Sequence, residues 1–194
     1  MDCVRISDND TFCSVAKTLR TNQKSVKFVK DASIFDDWKE ETPQDTARAL
    51  KHDFSLWKLE KIVPEESEQE KVKEIIIKHY FNLRGIFIQA CVASADLPDM
   101  SRRTFGNFVQ QAKIVDGVLT MGIVDTYFKA ANFEEEDQEN NDDNQLVRFE
   151  FLEMLVRIAK GKFIDFGSMS SVSEALKRLL EKYVLPMEHK LIPW

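Results

Sequence analysis

The stretch from Gln69 to about Ala93 constrains the fold more than any other part of this chain. Its apolar residues recur at intervals of 4, 4, 3 and 4, which is the period of an amphipathic helix. The sequence Ser67-Glu68-Gln69-Glu70 just before it has the spacing of a capping box and predicts where the helix begins. The stripe consists of Val72, Ile76, Tyr80, Leu83 and Phe87, continued by Cys91, and is widened by Ile75, Ile77, Phe81, Ile86 and Ile88. Because this stripe covers more than half the circumference, we predict a central helix that is buried on most sides.

Five further segments carry helix signals, and together they predict an all-α fold. The composition agrees, because fourteen Phe against six Gly and five Pro favour helices with aromatic packing over a turn-rich β sandwich. The predicted helices run from Thr42-Pro43 to about Ile62, from Ser101, from Thr120, from Arg148 to a stop at Gly161, and from a capping box at Ser171–Glu174 to near Pro186. We therefore divide the chain into an N-terminal arm (1–41), a helical domain (42–185) and a C-terminal tail (186–194).

The N-terminal arm is basic, whereas the rest of the chain is acidic. Five cations and no acid lie within Lys17–Lys30, although the whole chain has a net charge of −6. Such a segment is either a solvated arm or a binding site for an acidic partner. The acidic remainder argues against nucleic acid as that partner. The candidate contact residues are Lys17, Arg20, Lys24, Lys27 and Lys30.

The C-terminal tail carries a second set of candidate contact residues. Leu191, Ile192 and Trp194 are apolar side chains that follow the last predicted helix. They either pack back on the domain or bind a partner. No run of eighteen apolar residues predicts a membrane span. The first ten residues lack the layout of a signal peptide, and three scattered cysteines fit a reducing cytosol.

Residues 134–145 read EEEDQENNDDNQ and raise the question of calcium, because Ca²⁺ is bound by carboxylate and amide oxygens. The twelve-residue calcium loop that starts at Asp137 lacks the turn glycine and has Arg148 at its closing position. We expect a solvated acidic loop without a metal, and a weak Ca²⁺ site is the alternative. Its candidate ligands are Asp137, Glu139, Asn141 and Asp143.

No arrangement of residues predicts catalysis. The three histidines are unpaired at helical spacing and have no cysteine nearby, which disfavours zinc. Asp116 is assigned to a turn and Asp125 to a helix surface, and Cys91 to the buried stripe as a small apolar residue. Phosphate-binding loops and nucleophile elbows are absent from the sequence. We therefore expect neither an enzyme nor a cofactor.

A family resemblance emerges from residues 69–163, where helices alternate with a short break, an Asp-Gly turn and a polar loop. The region resembles the helix–loop–helix part of the tubulin polymerization promoting protein family and related EF-hand-like proteins of cilia and flagella. The matching residues are Ile114-Val115-Asp116-Gly117, Thr120, Val124-Asp125, Phe128, Phe149-Glu150, Leu155, Ala159, Lys160 and Phe163. The resemblance implies a degenerate EF-hand-like pair, with tubulin, microtubules or axonemal proteins as partners and a cytoskeletal, ciliary location.

Within such a pair, the eighth loop positions form a short backbone pairing, which we place between Met100 and Val147. Neither loop then supplies the usual calcium ligands. The first has Ala93, Ala95 and Leu97 at positions 1, 3 and 5, and the second closes on the apolar Phe151. We expect hands retained for packing and partner binding in a non-enzymatic structural protein of the microtubule cytoskeleton. The alternative is a Ca²⁺-responsive sensor that uses residues 134–145.

Overall fold

The computed structural model describes residues 42–133 and 144–188. The predicted arm (1–41), residues 134–143 of the acidic segment and residues 189–194 of the tail lie outside the described residues. Six α-helices and one two-stranded sheet form in the described ranges, which confirms the all-α prediction there. The helices are α1 (Pro43–Leu56), α2 (Glu66–Ser94), α3 (Arg102–Gln111), α4 (Met121–Ala131), α5 (Arg148–Lys160) and α6 (Val172–Leu179), and the strands are β1 (Met100–Ser101) and β2 (Gln145–Leu146).

The first helix, α1, begins where its sequence predicts and ends early. The Thr42 hydroxyl accepts a hydrogen bond from the Asp45 amide (3.3 Å), and the Asp45 carboxylate accepts one from the Thr42 amide (3.1 Å). This capping box satisfies amide groups that have no partner within the helix. The α-helix stops at Leu56 rather than near Ile62, and the chain continues through a 3₁₀ turn at Leu59–Lys61.

The long helix α2 begins three residues before the predicted first residue. Glu65 is its N-cap residue, and the Ser67 hydroxyl donates to the Glu65 carboxylate (2.6 Å) instead of capping the helix. The helix ends at Ser94, and the next residue, Ala95, has a φ of 57° and so adopts the left-handed conformation that commonly terminates helices.

Only one face of α2 is buried, so the prediction of a helix enclosed on most sides is wrong. The predicted stripe from Val72 to Cys91 lies in the core, together with Ile86. The opposite face is exposed at Ile77 (51%), Phe81 (69%), Ile88 (38%) and Val92 (56%). The helices and strands that contact α2 leave this outer face uncovered, which is why its apolar residues are exposed.

The most enclosed helix is α5. Every residue from Phe149 to Val156 is buried, as are Ile158 and Ala159. Helices α1, α2, α4 and α6 all contact it. On its inner side, the ring of Phe151 packs against Phe87, Phe105 and Phe108. The buried apolar residues of these helices, and of the loops between them, form one core cluster.

Gly161 does not end the helical path, contrary to the prediction. The chain continues through a π-helical turn at Gly161–Asp165. A side chain at Gly161 would collide with the hydroxyl of Tyr127 on α4. This glycine is therefore explained by close packing between α4 and the end of α5, and not by a helix stop.

The helical path also continues beyond α6. A π-helical turn at Leu180–Val184 and a 3₁₀ turn at Leu185–Met187 follow it, so the chain ends its helical course near the predicted Pro186. No helix within residues 42–133 and 144–188 is long and apolar enough to cross a membrane.

Candidate functional site: the paired loops

The loops after α2 and before α5 meet through the two short strands. Strands β1 and β2 are antiparallel, with Met100 opposite Leu146 and Ser101 opposite Gln145. Both Met100 and Leu146 are completely buried. The pairing therefore brings the two helix–loop–helix segments, α2–β1–α3 and α4–β2–α5, together at their loops.

The predicted pairing of Met100 with Val147 is wrong by one residue. Val147 is the N-cap of α5, and its carbonyl accepts a hydrogen bond from the Phe151 amide (3.0 Å). Its own amide donates to the Glu150 carboxylate (3.0 Å). Because these hydrogen bonds commit Val147 to the start of the helix, Leu146 is the last residue that can join the strand pair.

The first loop is held by its own side chains. The Asp96 carboxylate accepts hydrogen bonds from the hydroxyls of Ser101 and Thr104 and from the Ser101 amide. The bonds from Ser101, followed by those from Thr104, lower the pKa of Asp96. Residues Ala93, Ala95 and Leu97 contribute no oxygen side chain, as the sequence predicts. The loop is thus closed by internal hydrogen bonds.

The second loop is anchored at both of its described ends. The Asn132 amide nitrogen, at the end of α4, donates to the Gln145 carbonyl in β2 (2.9 Å). The Lys58 ammonium donates to the Phe133 carbonyl (3.0 Å). The first contact holds the end of α4 next to β2, and the second holds Phe133 against the segment that follows α1.

The observed strand pairing changes which residue closes a twelve-residue calcium loop, that is, which residue stands at position 12. If Leu146 is counted as position 8, Glu150 falls at position 12, where Phe151 had been predicted. The side chain of Glu150 is buried, with 1% exposure, and it caps α5 through Val147. In this frame Glu139, Asn141 and Asp143 occupy positions 1, 3 and 5, and Asp137 lies outside the loop.

Arg148, which stands at the closing position of the loop frame that starts at Asp137, forms an ion pair with Asp53 on α1. Its guanidinium binds the Asp53 carboxylate with two hydrogen bonds, of 2.7 and 2.8 Å. The Tyr80 hydroxyl donates to the same carboxylate (2.6 Å). The hydrogen bonds to Asp53 raise the pKa of Arg148. The pKa of Tyr80 is also raised, first by burial of its hydroxyl and then by its hydrogen bond to Asp53.

The contact of Asp53 with Arg148 and Tyr80 was not predicted from the sequence, although one signal pointed to it. Asp53 lies four residues from both Ala49 and Trp57, and so falls on the inner stripe of α1. A carboxylate on an apolar stripe needs a buried partner. Nothing in the sequence indicates that the partners are Tyr80 and Arg148, because they come from two distant helices.

Asp116 and Asp125 have the structural roles that the sequence predicts, in a turn and on a helix surface. Asp116 accepts hydrogen bonds from the amides of Val118 and Leu119 (both 2.9 Å) and from the Lys162 ammonium. The Lys162 contact, followed by those amides, lowers the pKa of Asp116 to about 2. Asp125 forms a surface ion pair with Arg102 (2.6 Å).

The remaining candidates are either structural or outside the described ranges. Cys91 is fully buried, and burial raises the pKa of its thiol to about 12, which confirms its packing role. Among the described residues, no group of three or more His, Cys, Asp or Glu side chains could hold a metal ion. The arm candidates Lys17, Arg20, Lys24, Lys27 and Lys30, the loop candidates Asp137, Glu139, Asn141 and Asp143, and the tail candidates Leu191, Ile192 and Trp194 lie outside the described residues.

Comparison with known proteins adds no relative to this description. No protein-family model, curated protein or solved structure matches the chain.

Proposed function

We propose that this chain is a non-enzymatic protein-binding component of the microtubule cytoskeleton, in the ciliary axoneme, with an EF-hand-like pair that serves packing. The observation that carries this proposal is the strand pair Met100–Leu146, which joins two helix–loop–helix segments. The first loop is closed by Asp96, Ser101 and Thr104. A hand whose loop is closed in this way can support packing without a metal.

The cytoskeletal part of the proposal is supported by the sequence resemblance. The order helix, strand, helix occurs twice within residues 69–163, as the resemblance implies. Tubulin surfaces that carry acidic groups are suitable partners for the basic arm, because opposite charges attract at long range. Lys17, Arg20, Lys24, Lys27 and Lys30 would supply these contacts.

Co-sedimentation of the full chain with microtubules tests this proposal. Replacing the five arm cations with Gln should weaken binding at least tenfold, and added salt should weaken the binding of the unmodified chain, since exposed charges are screened. A matched control replaces five exposed cations of the helical domain with Gln. These are Lys51, Lys78, Lys113, Lys129 and Lys177. Equal losses in the two variants would count against an arm-specific contact, and no sedimentation of the unmodified chain would count against the microtubule assignment.

A Ca²⁺-responsive function is the second candidate, and the position of Glu150 favours it. In the frame set by Leu146, a buried glutamate stands at position 12, where calcium loops place a bidentate ligand. Glu139, Asn141 and Asp143 would supply further side-chain oxygens, and the Gln145 carbonyl stands at position 7. The frame has Asn144 in place of the turn glycine at position 6.

Calorimetric titration of the full chain with Ca²⁺ decides between these two functions. If calcium binds in the frame set by Leu146, Glu150→Gln and Asp143→Ala should each abolish most of the heat. Asp137→Ala should leave the heat unchanged, because Asp137 lies outside that frame, and it therefore serves as the matched control. The absence of heat at millimolar Ca²⁺ would rule out the sensor function.

A further inference from the structure

The outer face of α2 presents a row of large apolar side chains to solvent. Ile77, Phe81, Ile88 and Val92 are 38–69% exposed. Their spacing of 4, 7 and 4 residues places them on one side of the helix. We call these four residues the α2 stripe. Large apolar side chains grouped on one exposed face are a common feature of binding sites in soluble proteins.

A glycine in the middle of the α2 stripe points to a close contact. Gly85 lies between Phe81 and Ile88, and a side chain added there would meet no atom within 4 Å. Packing within the described chain therefore does not require glycine at this position. Glycine also disfavours the interior of a helix. Its presence leaves a notch in the stripe, where another group can approach the backbone.

The described chain ends beside this stripe. The carboxylate of Glu188, the last described residue, accepts hydrogen bonds from the Asn82 amide group (3.0 and 2.9 Å). Asn82 lies three residues before Gly85 on α2, and residues at this spacing are neighbours on a helix surface. The six residues after Glu188 can extend over about 20 Å. The α2 stripe is about 22 Å long, and Asn82 lies within its span, so every part of the stripe is within reach.

The chemistry of those six residues fits the stripe. They read HKLIPW, and Leu191, Ile192 and Trp194 are large and apolar. A second copy of the chain is a poorer occupant, because four side chains on one helix face are a small surface beside the roughly 800 Å² per partner of a standard interface. A short apolar segment that is already tethered next to the stripe needs much less area.

We propose that residues 189–194 dock on the α2 stripe of their own chain, with their apolar side chains covering Phe81, Ile88 and the notch at Gly85. The contact is intramolecular, and the hydrogen bonds between Glu188 and Asn82 direct the tail onto the helix. This inference does not depend on the microtubule or calcium proposals.

Fluorine NMR of the full chain labelled with fluorotryptophan tests the docking. The chain has three tryptophans, and Trp194→Phe identifies the Trp194 signal. In the unmodified chain, this signal should differ from that of free fluorotryptophan and should respond little to exchange of H₂O for D₂O. Phe81→Gln should move it to the free position, and Gly85→Gln, which fills the notch, should do the same. Phe81 is exposed and a side chain at Gly85 would meet no atom within 4 Å, so the helical circular dichroism should be retained.

Val118→Gln is the matched control, because Val118 is also exposed (51%) and lies in the loop between α3 and α4. It should leave the Trp194 signal unchanged. A Trp194 signal already at the free position, or one that Phe81→Gln does not move, would overturn the proposal. A signal that moves to the free position on dilution would also overturn it, because the occupant would then be the tail of a second copy.

Discussion

Asp53 is a carboxylate on the inner side of α1, and it joins three helices. It is 2% exposed, and its two oxygens are shared between the Arg148 guanidinium and the Tyr80 hydroxyl. A buried carboxylate without a cation is strongly unfavourable, so the partners matter more than the residue itself. Arg148 lies at the start of α5, and the ion pair therefore fixes where α1 meets that helix.

Removing the Arg148 guanidinium should lower the stability of the folded chain. Arg148→Met leaves Asp53 buried without its counter-ion, and we expect a loss of about 3–5 kcal/mol in the free energy of unfolding. Tyr80→Phe removes one hydrogen bond and should cost about 1 kcal/mol. Urea unfolding followed by circular dichroism measures both values.

The control for this prediction is Arg48→Met. Arg48 pairs with Asp45 on the surface of α1, and its side chain is 80% exposed. Exposed pairs contribute little, so this change should stay within about 0.5 kcal/mol. If Arg148→Met cost no more than Arg48→Met, the buried pair would not hold α1 in place.

Single residues also explain two errors of the sequence reading. Gly161 is a frequent kind of helix stop, yet here it lies against the Tyr127 hydroxyl, which comes from another helix and leaves no room for a side chain unless Tyr127 moves. Ser67 matches a capping box, yet its hydroxyl binds Glu65, and the helix starts earlier. Local patterns predict local hydrogen bonds, and neither pattern contains the competing partner.

At the level of elements, α2 and α6 are joined by a carboxylate rather than only by apolar packing. Glu68 on α2 accepts hydrogen bonds from the Ser171 hydroxyl (2.9 Å) and the Ser173 amide (3.1 Å) at the start of α6. It also pairs with Lys71 (2.9 Å). Burial acts to raise the pKa of Glu68, but the bonds from Ser173, Lys71 and Ser171 outweigh it and lower the pKa to about 2.

This contact should make stability depend on pH in a defined window. The pKa of Glu68 falls from its usual 4.5 to about 2 on folding, so its contribution is complete above the unfolded value and is lost as the pH falls toward 2. Glu68→Gln should therefore cost about 1–2 kcal/mol at neutral pH. The difference from the unmodified chain should shrink as the pH is lowered through this window. Urea unfolding over this pH range measures the difference.

Glu70→Gln is the control, because Glu70 is an exposed carboxylate on the same helix. The loss in the free energy of unfolding caused by Glu70→Gln should be small, and it should not change with pH in the way expected for Glu68→Gln. A cost for Glu68→Gln that stays constant down to pH values near 3 would show that the charge of Glu68 is not what joins α2 to α6.

Helix existence was predictable from the sequence, whereas the degree of burial was not. The spacing of apolar residues predicted all six helices. Thr42, Ser101 and Thr120 correctly marked the N-cap positions of α1, α3 and α4. The apolar width of α2 predicted a central helix, but α5 holds that position. A wide apolar stripe shows that a face avoids water, and it does not show whether another helix or the end of the chain covers it.

At the scale of the whole molecule, one core connects the described helices. The buried cluster includes residues of α2 to α6, and Trp57 and Leu59 join it just after α1. The strand pair adds Met100 and Leu146 to the same cluster. Within residues 42–133 and 144–188 the buried residues form a single cluster, so we expect these two ranges to unfold as one cooperative unit.

Comparing two probes tests this expectation. Trp57 is buried near α1, and replacing Trp38 and Trp194 with Phe makes it the only fluorophore of its kind. Its fluorescence and the far-ultraviolet circular dichroism should report the same urea midpoint. Separate midpoints would show that α1 unfolds independently of the other helices, in spite of the contacts made by Asp53.

The sequence by itself determined the helices, their apolar faces, the turn at Asp116 and the lack of usual calcium ligands in the first loop. These features depend on neighbouring residues, and their signals repeat over one or two helical turns. The tertiary structure decided which faces meet, which strand residues pair and which polar groups are buried. A shift of one residue in the pairing with Met100 moves the closing position from Phe151 to Glu150. Only contacts between distant segments set that register, because both Leu146 and Val147 are apolar and fit the local pattern equally well.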